Sequence, residues 1–112
     1  VLPGAFRSRV LPEMPALVAT VGDVPLEEAL ALAQELRRRG IAALAELGRR
    51  SLGNSLKRAG RLGARRVLIL GEDEVAAGEV TVKDLATGEQ RRLPRSEAVA
   101  ALSSAVSEEP QG

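Results

Sequence analysis

Val67-Leu68-Ile69-Leu70-Gly71 is an uncharged aliphatic run, entered from Arg65-Arg66 and left through a glycine. Four aliphatic residues in succession, with no polar alternation, fit a strand covered on both faces, and such a strand belongs in the middle of a sheet. Two further apolar runs precede it, at residues 16–21 (ending in Gly22-Asp23) and 41–47. Neither alternates, so both read as buried strands.

The segment between those two runs carries helix signals. Asp23 is placed to cap, Pro25 to sit in the first turn, and Glu27 and Glu28 to favour the positive end of the helix dipole. Leu26, Ala29, Leu30, Ala33 and Leu36 recur at helical spacing, and Arg37-Arg38-Arg39-Gly40 supplies basic residues and a glycine at the stop. Strand, helix and strand over about 30 residues imply a right-handed βαβ unit. A second helix is expected after a Ser51 cap, with Leu52, Leu56, Ala59 and Leu62 as its buried stripe.

Beyond Gly71, residues 79–85 alternate, with Val80 and Val82 on one face and Thr81 and Lys83 on the other. Ala86-Thr87-Gly88 then forms a short connection, and residues 89–93 pair back as a hairpin. Pro94 and Ser96 open a last helix through Val99, Leu102 and Val106. Pro3, Gly4, Pro12 and Pro15 make residues 1–15 a linker or arm, leaving 16–106 as one α/β domain and 107–112 as a loose tail. The start at Val1, without Met, reads as a piece of something longer.

At 112 residues and 45% apolar composition the chain fits one domain with a small core. Phe6 is the sole aromatic residue, so aliphatic side chains carry the packing. The chain contains no Cys and no His, which removes disulfides, thiol nucleophiles, imidazole bases and nearly every zinc site. No apolar run approaches the roughly 20 residues of a membrane span. We expect a cytoplasmic binding domain without a catalytic centre, a cofactor or a metal.

Net charge is only +1, but the charges are segregated. From Arg49 to Arg66 there are seven basic residues (Arg49, Arg50, Lys57, Arg58, Arg61, Arg65 and Arg66) and no acidic one. Asn54, Lys57, Arg58 and Arg61 fall at i, i+3, i+4 and i+7, on the helix face opposite the leucines. Such a face suits a phosphate backbone; it is also what an ordinary solvated helix face looks like in an Arg-rich protein. Gly71-Glu72-Asp73-Glu74 and Glu79 set an acidic loop beside it. Carboxylates there could read base edges, or could simply be solvated or cap a helix. Phosphate-loop motifs are missing, and with no Tyr or Trp there are no stacking platforms for a general single-strand binder.

Arg50-Ser51-Leu52, Leu56-Lys57-Arg58-Ala59, Gly63-Ala64-Arg65, the run from Leu68 through Glu74, the run from Gly78 through Leu85, and Thr87-Gly88-Glu89-Gln90 form an ordered series. Over about residues 16–105 this series resembles the C-terminal anticodon-binding domain of histidyl-tRNA synthetases. The resemblance implies a three-layer α/β/α fold around a mixed, five-stranded sheet. It also implies that histidine is activated with ATP and magnesium in a separate catalytic domain, within a homodimeric enzyme, and that the partner is a tRNA, that of histidine, rather than DNA or a membrane. The tRNA-facing residues expected on this basis are Arg49, Arg50, Asn54, Lys57, Arg58, Arg61, Glu72, Glu74, Glu79 and Lys83. Where related domains carry Lys-Lys-Gln at the start of the second helix, this chain carries Gly53-Asn54-Ser55, so two positive charges and one amide are missing from the expected RNA surface, and Asn54 is an amide one position away. A synthetase-like paralogue, such as a regulatory subunit of ATP phosphoribosyltransferase or a free-standing domain, is the alternative parent.

Overall fold

In the computed structural model the described residues are 16–46 and 52–107. The 1–15 arm, Arg49, Arg50, Ser51 and residues 108–112 lie outside them, as does the side chain of Val106. The elements in chain order are β1 (Ala16–Thr20), α1 (Leu26–Arg38), β2 (Ala43–Ala45), α2 (Leu52–Leu62), β3 (Arg66–Leu70), α3 (Glu72–Ala77), β4 (Glu79–Asp84), β5 (Gln90–Pro94) and α4 (Arg95–Ser107).

The strands form one mixed sheet in the order β2-β1-β3-β4-β5. β1 runs parallel to β2 and β3, whereas β4 and β5 are antiparallel additions. β3 therefore holds the centre, as its uncharged run predicts. The chain steps from β1 to β2 in one direction and returns past β1 to reach β3, so right-handed crossovers place α1 and α2 on opposite faces. Two separate cores result. On one face Ala29, Leu32, Ala33 and Leu36 of α1 and Ala98, Val99 and Leu102 of α4 pack on Ala16, Val18, Leu68, Leu70 and Val80. On the other, Ala59 of α2 meets Leu17, Ala19, Val67 and Ile69.

Several local expectations shift. The α1 stripe is Ala29, Leu32, Ala33 and Leu36, whereas Leu30 is 37% exposed. Pro25 rather than Asp23 stands at the N-cap, and its carbonyl accepts the Glu28 N–H at 3.0 Å. The second strand contracts to three residues at the sheet edge, and Ile41 packs in the core ahead of it. On α2 the buried residues are Ser55 and Ala59, while Leu52 and Leu62 are exposed. The last helix begins at Arg95 and extends through Ser107, where a loose tail is expected.

The acidic stretch after β3 is mostly a short helix, not a loop. Gly71 stands at its N-cap with φ −95° and ψ 176°, and its N–H donates to Glu74 Oε1 at 3.2 Å. Thr81 Oγ1 donates to the other Glu74 oxygen at 2.8 Å, which ties α3 to β4. A Cβ on residue 71 would lie 2.6 Å from Glu74 Oε1, so a larger residue here must displace that carboxylate, the end of a flexible side chain, from the Gly71 N–H. Burial pushes the Glu74 carboxyl up; hydrogen bonds from Thr81, its own backbone N–H and Gly71, with the Arg92 charge, outweigh it and hold the group below its usual range.

Three measurements test this packing. Leu32→Ala is expected to cost about 2–5 kcal/mol in urea denaturation, whereas Leu30→Ala stays within roughly 1 kcal/mol. Gly71→Ala and Glu74→Ala are each expected to cost about 1 kcal/mol, with the double variant far from additive because both remove one contact. Because the folded pKa of Glu74 lies below its unfolded value, its contribution is complete above the unfolded pKa and is lost as pH falls through the folded one. Urea midpoints should therefore fall less steeply in acid for Glu74→Gln than for the parent chain.

Candidate nucleic-acid interface

α2 is amphipathic because small residues face the sheet. Ser55 and Ala59 are buried and Leu56 is half-buried, which leaves Asn54, Lys57 and Arg61 exposed on the far side. The helix ends at Leu62, where Gly63 adopts φ +78°, and the Ala64 N–H returns to the Ala59 carbonyl at 2.9 Å. This αL stop reverses the chain directly into β3 and places Arg65 at the strand entrance.

Strand register assigns the remaining cations to faces. Lys83 lies opposite Val67, whose side chain belongs to the α2-side core, so Lys83 stands on that same side. Thr81 and its neighbour Arg92 share this side, since Thr81 pairs with both Ile69 and Arg92. α2 packs on β1 and β3. Polar residues of β4 and β5 therefore continue the surface beside it. An open cleft between the end of α2 and the β4–β5 hairpin is lined by Gly63, Ala64, Arg65, Leu85 and Ala86.

Among the described residues, Arg58, Arg66, Arg92 and Arg95 each meet carboxylates. Arg58 pairs with Glu46 at 3.2 Å, Arg66 with Asp84 at 3.9 Å, Arg92 with Glu79, and Arg95 with both Glu35 at 3.3 Å and Glu28 at 3.7 Å. Lys57, Arg61, Arg65 and Lys83, all on the α2 side, have no carboxylate within ion-pair distance among those residues.

The acidic candidates gather at the opposite end of the sheet, beyond the C-terminal ends of β1 and β3. Glu72 Oε2 accepts the Asp23 N–H at 3.1 Å and bridges the loops that follow those two strands. Glu74 is engaged by Gly71 and Thr81, and Glu79 by Arg92. Arg49 and Arg50 fall outside the described residues. Of the expected set, the structure brings Lys57, Arg61 and Lys83 to one side of the molecule and places Asn54 on the same exposed helix face.

Two residues escaped the sequence reading. Arg65 belonged to the basic run but was not singled out, because its side follows from a register that only pairing reveals. Glu46 was missed as well: an acidic residue inside the apolar run 41–47, just ahead of a basic helix, was the available signal.

Residues 16–105 match the family described as "Anticodon binding domain". A histidine–tRNA ligase of Nitratidesulfovibrio vulgaris strain DP4 is 45% identical over 84 residues, covering 75% of this chain and 20% of that relative. One from Desulforudis audaxviator is 43% identical over 94 residues, covering 83% and 22%. The chain thus spans about a fifth of the length of these relatives. Among solved structures, the histidyl-tRNA synthetase of Nostoc sp. PCC 7120 superposes with TM-score 0.77 at 27% identity, over 85% of this chain and 23% of that one. The RNA binding domain of threonyl-tRNA synthetase from Cryptosporidium parvum, at 21% identity and TM-score 0.74 over 84% of this chain and 25% of that one, shares the fold. The five-stranded mixed sheet with helices on both faces is the architecture that this set has in common, and the chain belongs to the anticodon binding domain family.

Proposed function

We propose that this chain is the tRNA-binding domain of a cytoplasmic, homodimeric histidine–tRNA ligase and holds the anticodon end of histidine tRNA. Aminoacylation, with its ATP and magnesium, takes place in a separate catalytic domain. One observation carries the reading: Lys57, Arg61, Arg65 and Lys83 share the α2 side and have no ion-pair partner among the described residues. Charged side chains left unneutralised together suit a polyanion, since each phosphate they meet releases condensed counterions. Arginine adds a planar fork that matches phosphate oxygens in pairs.

The division of labour follows from position. Lys57, Arg61, Arg65 and Lys83 meet the backbone, with Arg49 and Arg50 as further phosphate contacts. Asn54, exposed on the same helix, sets an amide side chain beside those cations. Glu72, Glu74 and Glu79 lie at the acidic end, each already engaged within the domain, so a base edge bearing an amino group would meet their remaining lone pairs.

Titration of histidine tRNA against the chain at a series of salt concentrations tests this. Affinity should fall steeply with salt, and Lys57→Ala, Arg61→Ala, Arg65→Ala and Lys83→Ala should each weaken binding and reduce the slope of log K against log salt by about one. A changed anticodon should weaken binding further without altering that slope. Salt-independent binding, or none, would overturn the reading.

A further inference from the structure

Arg58 differs from its neighbours on α2. It lies three residues from buried Ser55 and beside buried Ala59, but also four residues from Asn54 and three from Arg61. On a helix this is the border between the buried stripe and the exposed face. Its Nε approaches Glu46 Oε2 to 3.2 Å, where the Glu46 side chain is 5% exposed and that of Arg58 36%. The two atoms meet off the direction of a well-formed hydrogen bond, so this contact is chiefly coulombic.

Glu46 is itself anchored. Its backbone N–H donates to the Val18 carbonyl at 2.7 Å, which carries the β1–β2 pairing one residue past the end of β2. The carboxylate thus projects from a fixed point on the sheet, and a carboxylate this buried requires a cation. Glu46 and Arg58 also bracket the stretch that contains Arg49, Arg50, Asn54 and Lys57. The ion pair thus joins the border of α2 to the end of β2.

We infer that Arg58 is a positioning residue: paired with Glu46, it pins the border of α2 to the sheet edge so that Asn54, Lys57 and Arg61 face outward together, and it does not itself neutralise a phosphate. The purpose of that orientation rests on the tRNA reading above; the tether itself does not.

The test compares Arg58→Met, Glu46→Gln and the double variant, which removes both charges of the pair together and so keeps the comparison interpretable if either single variant unfolds. Histidine tRNA is titrated over a salt series, and amide hydrogen exchange is followed in α2 and in β3. The double variant should keep β3 protection, lose α2 protection by about tenfold and bind tRNA about tenfold more weakly, with an unchanged salt slope. Lys57→Ala, by contrast, lowers the slope by about one. Arg58→Lys should recover part of the binding and of the α2 protection.

A slope reduced by about one in Arg58→Met or in the double variant, but not in Glu46→Gln, would make Arg58 a phosphate contact and overturn the inference. So would a double variant whose α2 exchange matches that of the parent chain. If the parent chain fails to bind tRNA, the functional reading falls, and the exchange comparison alone decides the tether.

Discussion

Burial of β3 on both faces is the constraint from which the arrangement follows. Val67 and Ile69 point to one core, Leu68 and Leu70 to the other, and β1 and β4 flank the strand, so from Val67 to Leu70 neither side chains nor backbone face open water. A strand in that position needs a helix layer on each side. Two right-handed crossovers that reverse direction at β1 supply both layers, while the β4–β5 hairpin widens the sheet without adding a crossover. α2 packs over β1 and β3, so the α2-side surface of the hairpin remains polar, lined by Thr81, Lys83, Gln90 and Arg92. The surface available to a partner is thus set by how the central strand is covered.

The elements were legible because their signals are local. Uninterrupted aliphatic runs marked β1 and β3, alternation marked β4, and Gly88, which adopts φ +82°, marked the turn into β5. Helix faces were less legible. On α1, leucines at 26, 30, 32 and 36 satisfy helical spacing in two overlapping stripes, and periodicity alone cannot choose between them. Leu32 wins over Leu30 because it lies between Ala29 and Leu36 on the side that meets β1 and β3. On α2 the leucines misled for a different reason. Leu52 and Leu62 stand within about 80° of each other and close to the Ser55–Ala59 direction, but they are the first and last residues of the helix, and small Ser55 and Ala59 in its middle make the approach to the sheet.

The candidate site was legible as charge and illegible as pairing. A run of basic residues without an acid can be counted in a sequence, but which of them is already neutralised depends on residues far away along the chain. Arg58 finds Glu46 across the β2–α2 connection. Arg66 finds Asp84 because the two are directly opposite in the β3–β4 ladder. Arg92 finds Glu79 as a diagonal neighbour of Thr81, its own partner in register. The acidic stretch after β3 had a local meaning that its charge concealed. Glu74 lies three residues after Gly71 and caps its helix, and Glu72 joins two loops.

Helix dipoles give these charges a common logic. α1 and α3 begin at the C-terminal end of β1 and β3, and their first turns carry Glu27 and Glu28, and Glu72, Asp73 and Glu74, respectively. α1 ends at the opposite side with Arg37 and Arg38, and α2 ends there with Arg61. Acids at helix starts and bases at helix ends stabilise each helix, and together they polarise a domain whose formal net charge is only +1. α2 departs from the rule at its start, since its first turn holds no acidic residue. The positive end of its dipole adds to the field of Lys57 on the same helix. An acid there would stabilise the isolated helix but repel an anionic ligand, so a first turn without one trades helix stability for a positive surface.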